Sequence, residues 1–256
     1  MTSVENKAKT FASLHIKGEP IVLYNIWDAA GAKALKESGA NAVATGSASM
    51  AGAHGFDDGE AIPLSLVLQL VSRITSSVEI PVSVDFEGGY SSSPAKIEEN
   101  VAQLLDTGVV GLNFEDQVVS GPGLNAINDQ CDRISAIRRA ADAQGVPLFI
   151  NARTDVFLKA DPDAAHASLM DEANERERAY AAAGADGFFV PGLADPNLIR
   201  SLCERSSLPI NVMVLGDFSS VSEIAKLGVS RISYGPAPYS LAIADLTSRY
   251  RAAMNS

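Results

Sequence analysis

The stretch VSVDFEGGYSSSPAKIEENVAQLLDTGVVGLNFE, residues 82–115, contains the repeating unit that decides the fold. Apolar runs at 80–86 and 109–115 mark its two ends. Between them, residues 93–108 have helical spacing and end in glycine. A glycine just beyond a helix accommodates the left-handed backbone turn found there. Two strands joined by such a helix pair in parallel, so the stretch predicts a βαβ unit.

The same alternation continues along the whole chain. It predicts eight strands, at 20–25, 41–45, 80–86, 109–115, 146–152, 185–191, 208–214 and 229–235. Five of the helical segments between them end in glycine just before the next strand. Eight such units in about 250 residues are typical of a (β/α)8 barrel, and we predict one barrel domain over residues 1–256. An open doubly wound sheet is the alternative, although no G-x-G-x-x-G motif follows the first strand.

The composition is that of an acidic globular protein. Hydrophobic residues make up 46% of the 256 residues and charged residues 20%, which is enough apolar material for a large core. The 20 lysines and arginines against 31 acidic residues give a net charge of −11. This charge argues against nucleic acid and anionic membranes as partners.

The chain carries no recognisable export or membrane signal. Its first 15 residues include no apolar core of a signal peptide, and no apolar run approaches the ~20 residues of a membrane span. Cys131 and Cys203 fit no metal-binding spacing. Two isolated thiols favour a reducing compartment, so we expect a cytoplasmic protein.

Acidic residues collect where predicted strands 2 to 4 end. Asp85 and Glu87 are spaced i, i+2 and would point to one side of an extended chain. Glu115 ends the next strand, and Asp58 follows strand 2. Active sites of such barrels lie at the carboxyl ends of the strands, and carboxylates gathered there would repel one another without a cation. Oxygen ligands suit Mg²⁺ or Mn²⁺, which we predict; solvated turn residues are the alternative.

Arg153 ends the fifth strand, next to these acids. Its planar guanidinium could clamp a carboxylate or phosphonate group of a substrate. A structural ion pair with Asp155 or Glu115 is the alternative role.

Five motifs, taken in this order, resemble the isocitrate lyase/phosphoenolpyruvate mutase superfamily. They are ATGSAS (44–49), DDGE (57–60), VDFEGGYSS (84–92), GLNFEDQ (111–117) and INARTDVF (150–157). The resemblance extends over nearly the whole chain. It implies a (β/α)8 barrel, Mg²⁺, and a small 2-oxo or 2-hydroxy acid that reacts through a metal-stabilised enolate or by phosphoryl transfer.

The resemblance also implies roles for individual residues. Asp85 resembles the main metal ligand of the family, and Glu87 and Glu115 resemble companions that hold metal-bound waters. Arg153 resembles the substrate clamp, and Asp58 an aspartate near the reacting centre.

Further positions resemble the family's substrate-binding groups. Thr45, Gly46 and Ser47 match donors to the substrate's carboxylate and oxo groups. Trp27 matches the pocket wall, and Asn211 matches a substrate-contacting position.

One segment departs from the family pattern. After Gln117 the lyases carry Lys-(Lys/Arg)-Cys-Gly-His on a mobile lid, whereas this chain has VVSGPGLNAINDQ, residues 118–130, without Cys or His. We therefore predict no cleavage of isocitrate or methylisocitrate. The glycines and proline of 118–128 are typical of a mobile lid, and a plain loop is the alternative. His54 is a weaker acid–base candidate, because a hydrogen-bonded loop histidine is the commoner case.

Three functions fit these features. The first is a Mg²⁺-dependent carbon–carbon lyase or decarboxylase acting on an oxaloacetate-like 2-oxo acid. The second is phosphonate chemistry, as in a phosphonopyruvate hydrolase or phosphoenolpyruvate mutase, although the lid lacks the expected Lys. The third is a 2-oxo acid binding protein with little turnover. Apolar residues along 238–256 also lead us to expect a homo-oligomer.

Overall fold

The predicted (β/α)8 barrel is confirmed in the computed structural model, which describes residues 3–119, 121–161 and 165–255. Eight parallel strands follow the order β1-β8-β7-β6-β5-β4-β3-β2. Their bounds are β1 Ile21–Leu23, β2 Val43–Ala44, β3 Val82–Asp85, β4 Gly111–Glu115, β5 Phe149–Arg153, β6 Gly187–Phe189, β7 Ile210–Met213 and β8 Arg231–Ser233.

The sheet closes on itself between β1 and β2 through a short parallel bridge between Ile26 and Thr45. The Ile26 amide donates to the Ala44 carbonyl at 2.9 Å, and the Gly46 amide donates to the Ile26 carbonyl at 3.0 Å. This contact lies beyond the last residues of both strands. The barrel is therefore nearly closed, and its β1–β2 seam is held at the carboxyl end.

Helices follow the strands as the glycine-terminated segments predicted. The described residues form α1 Val4–Ser13, α2 Ala29–Glu37, α3 Ser47–Ala53, α4 Leu64–Ser77, α5 Pro94–Leu105, α6 Ile127–Ala143, α7 Met170–Ala182, α8 Pro196–Arg205, α9 Val221–Ala225 and α10 Ala237–Met254, with a 3-10 turn at His166–Leu169.

Successive side chains of a strand point to opposite faces of the sheet, so apolar side chains form one region outside the barrel and another inside it. Leu112 and Phe114 of β4 face outward into the layer between sheet and helices, and both are fully buried. The inner region lies at the amino end of the barrel, where Phe11 of α1 packs with Leu23 and Phe149. Helix α1 therefore closes the bottom of the barrel, which leaves the carboxyl end for polar side chains.

Helix α10 differs from the other described helices because nearly all of it is exposed, with every residue from 240 to 255 exposed. Leu246 and Tyr250 are each 64% exposed, and Met254 is 67% exposed. Val22 and Tyr24, in and just after β1, are also exposed. In the described part of the chain, no helix has both the length and the hydropathy needed to cross a membrane.

Candidate active site

A cavity of about 230 Å³ opens at the carboxyl ends of the strands, where the predicted site residues were expected. Five of them line it: Gly46, Ser47, Asp58, Asp85 and Arg153. The others are not among the described residues that line the cavity: Trp27, Thr45, Glu87, Glu115 and Asn211. The predicted set therefore divides into side chains that face the cavity and side chains that lie beside or below it.

Asp85 is the most firmly oriented carboxylate in the cavity wall. Ser47 donates to its Oδ2 twice, from the backbone amide at 3.2 Å and from the hydroxyl at 3.0 Å. The Asn113 amide donates to Oδ1 at 3.4 Å. The backbone amide of Asp85 donates to the Thr45 hydroxyl at 3.0 Å. Thr45 thus holds the strand that carries Asp85 and does not line the cavity.

Glu87 is buried behind Asp85 in an unexpected conformation. The extended-chain expectation for residues 85–87 is wrong, because β3 ends at Asp85 and Glu87 has a left-handed φ of 49°. Its carboxylate accepts from the Glu60 amide at 2.8 Å. Burial, together with the charges of Asp85 and Asp58, raises the pKa of Glu87 to about 8.

Two neighbours of Glu87 share this strained backbone. Glu60 and Tyr90 have φ values of 61° and 60°, and the Tyr90 amide donates to the Glu60 carboxylate at 2.7 Å. Arg133 of α6 holds the same loop by donating to the Gly88 carbonyl at 2.6 Å. Non-glycine residues in the left-handed region cost free energy and cluster at functional sites. The rest of the fold therefore holds this loop in place.

Glu115 lies on the next strand and is 1% exposed. Its Oε2 is 2.9 Å from Nη1 of Arg153, and Gln117 donates to its Oε1. Burial raises the pKa of Glu115, while the Arg153 charge lowers it. The pKa of Glu115 is raised overall, because the charges of Asp155 and Asp85 act in the same direction as burial.

Arg153 combines both roles considered for it. It lines the cavity, and it is paired with Asp155 through Nε to Oδ1 at 2.6 Å and Nη2 to Oδ2 at 2.9 Å. With the Glu115 contact, three of its five N–H donors are engaged. Burial lowers the pKa of Arg153, but the Glu115 and Asp155 charges more than offset this, so the guanidinium stays protonated.

Asp58 faces the cavity from the loop after α3. Burial raises its pKa above the ordinary aspartate range, and the Asp85 charge adds to the effect. The Ser47 hydroxyl lowers the pKa by hydrogen bonding to the carboxylate. The raised pKa makes Asp58 a candidate proton carrier at the cavity, although the residue as a whole is exposed.

Three remaining candidates lie elsewhere. Trp27 packs edge-on against Tyr239, with ring centroids 5.2 Å apart. Asn211 is buried below the cavity and exchanges hydrogen bonds at 3.2 Å with Ser233, which does line it. His54 is exposed at the end of α3, where its Nδ1 lies 2.9 Å from the Met50 carbonyl oxygen. None of the three is among the described residues that line the cavity.

Sequence reasoning missed a buried cation beneath the site. Arg231 of β8 faces the barrel interior, is 1% exposed, and donates from Nη2 to Asn113 Oδ1 at 3.0 Å. Asn151 donates to the same oxygen at 2.8 Å, which directs the Asn113 NH₂ group to Asp85. Nε and Nη1 of Arg231 have no hydrogen-bond partner in the described ranges. Burial lowers the pKa of Arg231 to about 9, against the effect of the Asp85 charge.

The signal that could have revealed Arg231 is which residues of β8 point into the barrel. A three-residue strand gives little alternation to read, but β8 pairs with β7 so that Arg231 lies beside the inward-facing Asn211. A register assignment from neighbouring strands would have placed Arg231 inside the barrel.

The segment predicted as a lid is anchored by a second buried polar cluster. Asp116 is fully buried, 3.0 Å from Nη1 of Arg176 and 2.8 Å from the Tyr180 hydroxyl. The Asn125 amide donates to the Asp116 carbonyl at 2.7 Å, which ties the end of the loop to β4. Residue 120 of the predicted lid lies outside the described residues.

The donor set fits a magnesium ion held largely through water. Among residues 3–119, 121–161 and 165–255, no group of three His, Cys, Asp or Glu side chains converges as a ready cage for a metal. One oriented carboxylate, Asp85, reaches the cavity, with Glu87 and Glu115 buried nearby. Mg²⁺ usually binds through one or two carboxylates and keeps several waters. The arrangement suits such an ion better than one that needs a full protein cage.

Comparison with known proteins confirms the resemblance. The sequence model of the phosphoenolpyruvate phosphomutase family matches residues 11–254. The structure of a candidate phosphonomutase from Burkholderia cenocepacia J2315 superposes with a TM-score of 0.95 at 43% identity, covering 98% of this chain and 100% of that one.

Two curated proteins are similar to this chain over most of its length. An uncharacterized Mycobacterium tuberculosis protein (strain ATCC 25618 / H37Rv) is 32% identical over 234 residues, which is 90% of this chain and 83% of that protein. The 2-methylisocitrate lyase of Escherichia coli K12 is 29% identical over 214 residues, 81% of this chain and 70% of that enzyme. The chain therefore belongs to the phosphoenolpyruvate phosphomutase family of enzymes.

Proposed function

We propose that this protein is a Mg²⁺-dependent lyase or decarboxylase that breaks a carbon–carbon bond in an oxaloacetate-like 2-oxo acid. The observation that carries the proposal is the orientation of Asp85, whose two oxygens are fixed by Ser47 and Asn113 in a cavity wall shared with Arg153. Segment 118–128 has no Cys or His. Loss of CO₂ from a 2-oxo acid needs no such lid residue, whereas cleavage in the manner of the lyases does.

In this proposal Asp85 holds Mg²⁺ or Mn²⁺, and Glu87 and Glu115 hold its waters. When bound, the ion would polarise the 2-oxo group and stabilise the negative charge that develops as the bond breaks. Ser47, which contacts Asp85, and its neighbour Gly46 supply donors to the substrate, and Arg153 pairs with the substrate carboxylate. Asp58, whose pKa is raised, delivers a proton to the carbon that loses its substituent.

Phosphonate chemistry is the second candidate, because the Burkholderia cenocepacia relative is a candidate phosphonomutase at 43% identity. The same metal ligands and Arg153 would serve a phosphonopyruvate hydrolase or mutase, with Asp58 acting beside phosphorus. We rank phosphonate chemistry below carbon–carbon cleavage because segment 118–128 lacks the lysine expected in the lid of the phosphonate enzymes.

A substrate panel tests the proposal. Oxaloacetate, phosphonopyruvate, 2-methylisocitrate and substituted malates are each incubated with Mg²⁺, and CO₂, phosphate and aldehyde or 2-oxo acid products are measured. We expect CO₂ or carbon–carbon cleavage products, and none from 2-methylisocitrate. Release of phosphate alone would favour the second candidate, and binding without any product would favour a 2-oxo acid binding protein.

We also propose that the protein is a homo-oligomer. Ile243, Leu246, Tyr250 and Met254 form an exposed stripe on α10 at helical spacing. Val22 and Tyr24 provide exposed apolar surface at β1 of the same chain. Pairing of two copies through these surfaces would remove both from water.

A further inference from the structure

Glu60 has a backbone conformation that its residue type disfavours. Its φ of 61° lies in the left-handed region, which Gly59 beside it enters without strain at a φ of 92°. Glu60, Glu87 and Tyr90 are the three non-glycine residues with positive φ in the described part of the chain. A glutamate in a conformation that costs glycine less indicates that its side chain has a use.

Glu60 joins two loops by hydrogen bonds that run in opposite directions. Its backbone amide donates to Oε2 of Glu87 at 2.8 Å, so the loop after α3 holds the Glu87 carboxylate. Its own Oε1 accepts from the Tyr90 amide at 2.7 Å, so it also holds the backbone that follows Glu87. Asp58 lies two residues before Glu60 and lines the cavity. The position of Asp58 relative to Glu87 is therefore set through Glu60.

The two loops joined by Glu60 pack closely. A Cβ on Gly88 would lie 3.1 Å from Oε1 of Glu60 and 2.8 Å from Cγ2 of Val119, so only glycine fits there. The Glu87 carbonyl accepts from the Glu115 amide at 2.9 Å, which extends the connection to β4. A displacement of Glu87 would therefore also disturb Glu115, the second buried acid proposed to hold metal-bound water.

Helices α5 and α6 hold the other side of the same backbone. Asn100 donates to the Gly89 carbonyl at 2.9 Å, and Arg133 donates to the Gly88 carbonyl at 2.6 Å. These contacts do not involve Glu60. Loss of the Glu60 side chain should therefore leave the loop in the fold while it removes the contact that fixes the backbone next to Glu87.

We infer that Glu60 is a positioning residue that sets the Glu87 carboxylate for the bound divalent metal and fixes its place relative to Asp58. The inference rests on the metal site of the proposed function. Glu60 is not among the described residues that line the cavity, so it acts through Glu87. The hydrogen bond that its oxygen accepts performs this role, and its charge is not required.

Two substitutions of Glu60 test the inference. Glu60→Gly removes the carboxylate where glycine is free of strain, and Glu60→Gln keeps an oxygen that can accept from the Tyr90 amide. Mn²⁺ binding with oxalate present is measured by electron paramagnetic resonance, and melting temperatures are measured in EDTA. We expect Glu60→Gly to bind Mn²⁺ about 10–100-fold more weakly than wild type, and Glu60→Gln to stay within about threefold.

The spectrum of the bound ion distinguishes positioning from a loss of stability. At saturating Mn²⁺ the zero-field splitting should differ between Glu60→Gly and wild type, because the oxygen ligands of the ion are arranged differently. A protein that is only less stable would give the wild-type spectrum. Asp57→Gly is the matched control, because it removes an exposed carboxylate from the same loop. It should keep the wild-type affinity and spectrum.

The outcomes separate the inference from the proposed function. Wild-type affinity and spectrum in Glu60→Gly would overturn the inference and leave the proposed function standing. An equal loss of affinity in both variants would also overturn it, because the charge of Glu60 would then be the cause. A Glu60→Gly protein that melts far below wild type in EDTA would show that Glu60 acts on the fold as a whole, with the same consequence. Failure of the wild-type protein to bind Mn²⁺ with oxalate would overturn both.

Discussion

Arg153 and Asp155 form a two-bonded ion pair at the cavity wall, with Nε 2.6 Å from Oδ1 and Nη2 2.9 Å from Oδ2. Glu115 holds the same guanidinium through Nη1 at 2.9 Å. An arginine held by two carboxylates is oriented before any ligand arrives, so binding does not have to order it. The structural ion pair and the substrate clamp are therefore two functions of one arrangement.

Arg153→Lys should weaken oxalate binding in the presence of Mg²⁺ about tenfold or more, because lysine keeps the charge but loses the planar fork. Arg153→Ala should also lower the free energy of unfolding by about 3–5 kcal/mol, since Glu115 and Asp155 would remain buried and unpaired. Calorimetry and thermal melts measure the two effects. Arg138→Lys is the control, because Arg138 pairs with Asp186 away from the cavity and should change only the melting temperature. Unchanged oxalate binding in both Arg153 variants would show that the residue is purely structural.

The metal-free protein should lose stability as pH rises from about 4.5 to about 8. The pKa of Glu87 is about 8 in the folded protein against an ordinary 4.5, so the folded state binds this proton more tightly than the unfolded chain does. That contribution is complete below pH 4.5 and disappears as pH passes 8. Mg²⁺ competes with the proton, so its stabilising effect should grow over the same range.

Melting temperatures from pH 5 to 8.5, in EDTA and in Mg²⁺, measure this dependence. Glu87→Gln should flatten the curve in EDTA, while Glu79→Gln, a change on the surface, should not. A melting temperature that rises with pH in EDTA would contradict the assigned burial of Glu87.

Arg231→Met should weaken oxalate binding without lowering the free energy of unfolding. Arg231 is buried with two unpaired donor atoms, so a similar apolar side chain should leave the free energy of unfolding unchanged or raise it. The Asn113 amide would keep its hydrogen bond from Asn151 but lose the one from Arg231, and Asp85 would lose the positive charge beneath it. We expect oxalate affinity with Mg²⁺ to fall about tenfold. A destabilised variant with wild-type affinity would mean that Arg231 acts only in the fold.

Leu246→Glu should produce monomers at micromolar concentration if α10 forms an interface. Leu246 is 64% exposed, so the change disturbs no core packing. Ser248→Glu, on the same helix, is the control for added charge and should keep the oligomeric mass. Light scattering measures the masses; a monomeric wild type would refute the proposed assembly.

The eight strands and the acidic rim could be predicted because their signals are local in the sequence. Apolar runs mark strands, glycines mark the ends of helices, and the residues that follow each strand mark the rim. The relative positions of the Asp85 and Glu87 side chains, two residues apart, were harder to predict. Asp85 lies in a strand, but Glu87 follows a left-handed backbone that its residue type disfavours, and contacts from Glu60 hold it there. Such a conformation is set by tertiary contacts.

The sequence also did not predict how deep each side chain lies within the barrel. Thr45 and Asn211 were assigned to substrate, yet both are buried beside or beneath the cavity, at the level where Arg231 and Asn113 lie. Strand-end position indicates the correct rim, but the stagger of the strands decides which side chain reaches the cavity. The role of Asn113, which joins Arg231 to Asp85, depends on these side-chain contacts and was therefore found only in the structure.

The central claim is that Asp85 holds a divalent metal in this cavity, and titration of Mn²⁺ followed by electron paramagnetic resonance tests it most directly. Wild type, Asp85→Asn and Asp57→Asn are compared with oxalate present, the last as a control on the neighbouring exposed loop. We predict one bound ion per chain in the wild type and in Asp57→Asn, and none at the same concentrations in Asp85→Asn. Equal binding by Asp85→Asn, or full turnover of the wild type in excess chelator, would contradict the account.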